Sequence, residues 1–173
     1  TLANLLSHSS GLGLEEGDPV RPPGERRVYS NAGVERAVAS IVGDGDPALW
    51  LRSRVFEPLG MSSSELRGRA CADGWGSTED LSQLALAWLR GDGISTATRD
   101  LAITPYLSGL DGVVPGFGRF SPCPWGLGPE IRGDKRHWMG DWTPTSFGHF
   151  GQSGALLLAN VDEGIAVVAT SEV

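Results

Sequence analysis

The sequence predicts an α+β domain, an antiparallel sheet flanked by helices. Three observations lead there. Apolar residues recur at helical spacing in the first part of the chain, and short apolar runs bounded by turn residues fill the last part. The two kinds of segment do not alternate as βαβ units would. The expected organisation is residues 1–124 as a helical part with long loops, followed by 125–173 as the C-terminal strands of the sheet.

Thr1 to Leu6 reads as a short helix with Leu2, Leu5 and Leu6 on one face, ending at Ser7-His8-Ser9-Ser10-Gly11. Gly13 to Arg27 carries Asp18-Pro19 and Pro22-Pro23-Gly24, which break both periodicities, so a surface loop is expected. Ser30 or Asn31 caps the next helix, where Val34, Ala37, Val38, Ile41 and Val42 form a stripe before Gly43. Asp46-Pro47 opens another, with Leu49, Trp50, Val55 and Phe56 as its buried face. Ser77-Thr78-Glu79-Asp80 puts hydroxyls and carboxylates at a helix start, where free N–H groups and the helix dipole favour them. Leu81, Leu84, Ala85, Trp88 and Leu89 follow, and Gly91 stops the helix.

Ser95 or Thr96 caps a shorter helix, and the Gly- and Pro-rich stretch Gly109 to Pro124 reads as a long ordered loop. Strands are expected over Trp125 to Ile131, Phe147 to Phe150, Leu156 to Ala159 and Ile165 to Thr170, the last two joined as a hairpin across Asp162-Glu163-Gly164.

Composition excludes several functions. The net charge is −7, and thirteen arginines and the single Lys135 are scattered, so no basic stripe awaits nucleic acid. The longest apolar runs, Ala155 to Ala159 and Ile165 to Ala169, fall far short of a membrane span. Cys71 and Cys123 make neither a disulfide framework nor a zinc cluster and leave the compartment open. His8, His137 and His149 show no metal-ligand spacing, so neither metal nor cofactor is expected. Gly43-Asp44-Gly45-Asp46-Pro47-Ala48 matches a dinucleotide fingerprint only formally, since it follows a helical stripe and presents carboxylates to a pyrophosphate. Gly151-Gln152-Ser153-Gly154-Ala155 approaches a nucleophile elbow, but no histidine follows Ser153.

Six short motifs occur in one order: Leu5-Leu6-Ser7-His8-Ser9-Ser10-Gly11-Leu12, Tyr29-Ser30-Asn31 after Pro23-Gly24, Val55-Phe56-Glu57-Pro58-Leu59-Gly60-Met61, Ser77-Thr78-Glu79-Asp80-Leu81, Trp125-Gly126-Leu127-Gly128 and His149-Phe150-Gly151. In this order the chain resembles the class C β-lactamase family of penicillin-recognising serine hydrolases, which includes DD-peptidases and esterases. The resemblance implies a β-lactamase/transpeptidase-like sheet, here incomplete at both ends. It also implies acyl-enzyme chemistry on a β-lactam, a D-Ala peptide of the peptidoglycan kind or an ester. The family's Ser-x-x-Lys, which supplies the nucleophile, is absent. Lys135 is the only lysine and Arg132 stands three residues before it. Truncation ahead of Thr1 is the expected reason, and a non-catalytic binding or scaffold domain is the alternative.

The resemblance carries Tyr29 and Asn31 over as the Tyr-x-Asn motif, the tyrosine shuttling protons with help from neighbouring cationic groups. His149 carries over as the first residue of the family's Lys-Thr-Gly motif, a histidine here, which would tie activity to pH between about 6 and 7. Gly151 is expected to let substrate lie along the strand, the N–H of Gln152 to serve as an oxyanion donor, and Trp125, with Phe117, His137 and Trp138, to line the acyl pocket. His8 is expected to be structural. Tyr29, Asn31 and His149 should converge on one cleft. The last strand should keep an open edge, for which a second chain completing the sheet is the expected partner.

Overall fold

The computed structural model describes Thr1 to Ser171, so Glu172 and Val173, the end of the expected C-terminal part, lie outside the described residues. Helix α1 (Leu2–Leu6) is capped by Thr1 and leads through the buried Ser7-His8-Ser9 to a two-residue strand, β1 (Arg27–Val28). Ser30 caps α2 (Asn31–Val42), its Oγ accepting from the Gly33 N–H at 2.8 Å. Only Ala32, Gly33 and Ala37 are buried along α2, and Ile41 is exposed, so the apolar stripe is wider than the surface that covers it.

Asp46 caps α3 (Pro47–Leu51), which runs on as a π-helical turn, Arg52–Phe56. The expected buried face is only partly formed, with Trp50, Val55 and Phe56 half-buried. None of its residues is fully buried, and Leu49 stands 63% exposed, because periodicity reports a stripe but not what packs on it. The small ribbon β2 (Glu65–Leu66) and β3 (Gly74–Trp75) precedes α4 (Thr78–Arg90), which Ser77 caps and Gly91 ends in the left-handed conformation. Asp80, buried in the first turn of α4, accepts from the Ser63 N–H and the Ser64 hydroxyl, both at 2.8 Å. Ser95 caps α5 (Thr96–Ala102).

The stretch Gly109 to Pro124 is not a plain loop. It holds the hairpin β4 (Gly112–Val114) and β5 (Gly118–Phe120), and β4 also pairs in parallel with β1. Strands of three residues are too short to show alternation, so nothing local marked them. The expected strand over Trp125 to Ile131 shrinks to β6 (Glu130–Ile131), with Trp125 bridging to Glu130 around the intervening turn. Short strands therefore stand among the helices, and the expected order of helices first and strands last holds only for the main sheet.

That sheet is antiparallel, in the order β6, β7 (Phe147–Phe150), β8 (Leu156–Asn160) and β9 (Ile165–Ala169). Phe147 faces Ala159 in register, and with Ile131 these residues form the core on which Trp88 and Leu89 of α4 pack, beside Ile103, Leu157 and Ala166. Burying Phe147 fully contributes roughly 1.5–3 kcal/mol. A Cβ on Gly148 would lie 2.1 Å from the Leu157 carbonyl oxygen, so only glycine lets β7 and β8 approach here. Side chains alternate along β7, placing His149 on the same face as Phe147, toward the helical part, and Phe150 on the other.

Candidate functional site

Tyr29 ends the extended segment after β1, and its position is fixed by the capping of the helix that follows. Ser30 is fully buried. Its Oγ donates to the Gly13 carbonyl at 2.6 Å, and its N–H donates to Nδ1 of His8 at 3.1 Å. Tyr29 is thus held between a helix start and a buried imidazole. His8 takes a positive φ of 54°, uncommon outside glycine, and its backbone carbonyl accepts from the Val28 N–H. Its acceptor Nδ1 requires an unprotonated nitrogen. Burial first, then the charges of His149 and Arg27, push its pKa down to about 3 against the opposing pull of Glu130.

Four aromatic rings meet at this point. Tyr29 lies 4.5 Å from His8 and 5.7 Å from His149, centroid to centroid, and Trp125 stands edge-on to His8 at 4.8 Å and to His149 at 6.4 Å. Tyr29 and His149 share no direct hydrogen bond among the described residues. Burial holds the Tyr29 phenol above its ordinary value, and Cys71 acts in the same direction. The cationic neighbours expected to ease its ionisation do not dominate here, so Tyr29 keeps its proton at neutral pH. Desolvation among these rings lowers His149 from its ordinary value, with Glu130 opposing, although the residue keeps an exposed surface.

Asn31 begins α2, and its side chain turns outward to the loop before it, Nδ2 donating to Glu15 Oε1 at 2.6 Å while Arg69 holds Glu15 Oε2 at 2.7 Å. That loop is therefore tied to the site: Leu14 accepts from the N–H groups of Asn31 and Ala32. Gly151 starts a tight turn after β7, its N–H donating to the Ala155 carbonyl at 2.8 Å. The Gln152 N–H, exposed in this turn, meets no acceptor among the described residues.

His137 and Trp138 sit elsewhere than expected. Both donate to Glu130, His137 through Nε2 at 2.8 Å and Trp138 through Nε1 at 2.7 Å, so their polar atoms are spent on a buried carboxylate. Phe117, on the turn of the β4–β5 hairpin, is exposed and stands edge-on to Phe150 at 5.5 Å.

Sequence reasoning missed two groups. Arg27 is 1% exposed. Its guanidinium donates to the carbonyls of Cys123 at 2.7 Å and Tyr106 at 2.7 Å, and to that of Ser7, tying three segments together under the site. The second group, Glu130 with Lys135, is an ion pair at 2.6 Å with both side chains 1% exposed. The single lysine of the chain was its only signal in the sequence. No group of three or more metal-ligating side chains occurs among the described residues, and no described helix is long and apolar enough to cross a membrane.

A family model described as Beta-lactamase matches residues 1–172. Among solved structures, a beta-lactamase from Mycobacterium bovis is 37% identical with a TM-score of 0.90, over 97% of this chain and 64% of that one. A penicillin-binding protein homolog from Caulobacter crescentus is 18% identical with a TM-score of 0.70, over 96% and 63% of the two chains. A D-stereospecific amidohydrolase from Streptomyces is 14% identical with a TM-score of 0.69, over 97% and 66%. The last two show the shared fold. The chain thus spans just under two thirds of the length of these structures. No curated protein sequence matches.

Proposed function

The chain belongs to the beta-lactamase family, whose relatives are hydrolases, and from that premise we propose that it is part of a serine hydrolase acting through an acyl-enzyme on a β-lactam, a D-Ala peptide or an ester. One observation carries this reading. Tyr29 and His149, remote in sequence, stand ring to ring at 5.7 Å beside Trp125, in a family whose reaction needs a proton carrier there. We assign residues 1–124 to present Tyr29 and 125–173 to present His149, with the cleft between them.

In this reading a serine hydroxyl outside this chain attacks the substrate carbonyl. Its proton reaches the leaving group by way of the Tyr29 hydroxyl, which accepts one proton as it releases its own. Because Tyr29 is protonated at neutral pH, it works as a relay and not as a standing base. His149 supplies the polar neighbour for that relay, and Asn31, turned to Glu15 and not to the rings, braces the loop beside Tyr29. The unengaged N–H of Gln152 fits an oxyanion donor. Gly151 leaves room for substrate to lie along the strand, and the buried Trp125 backs the acyl group.

The test is covalent labelling of the natural full-length protein with a fluorophosphonate and with a fluorescent penicillin. One equivalent of label, lost on Tyr29→Phe or much slowed by it, supports the reading. A full-length protein that takes no label from either reagent is instead a binding or scaffold domain. The present chain, without Ser-x-x-Lys, is expected to turn over neither nitrocefin nor p-nitrophenyl acetate above the buffer rate.

A further inference from the structure

Behind Trp125 lies a buried charged cluster that the relay does not use. Glu130, on β6, accepts from Lys135 Nζ at 2.6 Å and His137 Nε2 at 2.8 Å on one oxygen, and from Trp138 Nε1 at 2.7 Å on the other. Lys135 also donates to the carbonyl of Pro124 at 2.9 Å, the peptide that leads into Trp125, and its Nζ lies 5.8 Å from the Trp125 ring. The side chains of Glu130, Lys135 and His137 are at most 1% exposed. Taking two charges out of water costs several kcal/mol per ion, and an apolar replacement of equal volume is often no less stable. Stability alone is therefore a weak reason for this cluster.

Its placement suggests another. Glu130 pairs in register with Gly148, the residue before His149. We propose that Glu130 is a positioning residue for the cleft: through Lys135 and Pro124 it locks Trp125 against His8, Tyr29 and His149. The rings around His149 are those of Tyr29, Trp125 and Phe150, with His8 against Tyr29; the charged groups of the packed elements are Glu130 on the neighbouring strand, its partner Lys135, and Arg27. Among these, Glu130 is the one that draws His149 toward protonation against the effect of burial. The role of His149 in the relay is the premise on which the inference rests.

The experiment reads the imidazole ¹⁵N shifts of His149 against pH in this chain, as wild type and as Glu130→Gln, which keeps the shape and removes the charge. The expected result is a fall of the His149 midpoint by roughly half a pH unit or more, with Glu130→Asp returning it toward wild type. Shifted Trp125 and Tyr29 ring signals should accompany it. A folded Glu130→Gln chain whose His149 midpoint stays put overturns the proposal. If that variant does not fold, the wild type decides: the His149 shift must show a second inflection where the Glu130 carboxyl, followed by ¹³C, takes its own proton, and no such inflection overturns the proposal equally. Neither measurement needs turnover, so the outcome is independent of the labelling result.

Discussion

The floor beneath Trp125 and the outer strand β9 invert the usual arrangement of a domain. The floor is charged and closed: Arg27, Glu130 and Lys135 are at most 3% exposed. The outer strand is apolar and open, with Ile165 and Val167 at 49% and 44% exposure and its far edge unpaired among the described residues. The contrast shows what each region is built to do. Charge is tolerated inside because the Arg27 donors reach backbone carbonyls and the Glu130 oxygens each receive donors. The floor is thus satisfied within itself. The edge of β9 offers a ladder and an apolar surface, and we propose that a further strand, from a second chain or another segment, adds there.

The contrast breaks first at Arg27. Arg27→Met removes the donors of three segments at once and leaves buried carbonyls unpaired at about 1–3 kcal/mol each, partly offset because a buried charge goes with it, so a net loss of about 2–4 kcal/mol is expected. Urea unfolding measures it; a loss below about 1 kcal/mol would mean that the buried floor is not what holds the cleft.

Acid gives the next largest effect. The folded-state pKa of His8 is about 3 against an ordinary 6.5, so between those values the unfolded chain binds more protons and stability falls as pH falls. The stabilisation is fully present above pH 6.5 and gone below the folded pKa. At about 1.4 kcal/mol per pH unit, His8 alone should remove about 2 kcal/mol between pH 7 and pH 5, and His149, lowered too, adds in the same direction. Unfolding midpoints at the two pH values test this, and Ser30-capped α2 should loosen first, since it hangs on the His8 acceptor. His8→Phe should flatten the slope.

The smallest effect belongs to the edge. Val167→Lys should change stability by no more than about 0.5 kcal/mol, because the side chain faces away from α4, while lowering self-association through the open strand. Sedimentation of both forms checks it. Unchanged association would show that the edge is inert and would weaken the contrast from its other side.

Local features were legible in the sequence because their causes lie within a few residues. Ser30, Asp46, Ser77 and Ser95 cap the helices that follow them, Gly91 stops α4, and β7 spans the residues that the aromatic and glycine pattern marked. The motif order likewise pointed to the family to which the chain belongs. The choice of Tyr29 and His149 came from that order, whereas their ring-to-ring approach is a fact of the fold. The chain could not announce Arg27, whose guanidinium bonds span 20 to 96 positions, nor the pairing of its single lysine with Glu130. It gave no sign of the β4–β5 hairpin, and it left His137 and Trp138 looking like pocket residues when they serve a carboxylate. Capping and periodicity act along the chain and can be read from it. Burial, and the proton affinities of His8, Tyr29 and His149 that burial shifts, depend on what distant segments bring alongside, so only the tertiary structure decides them.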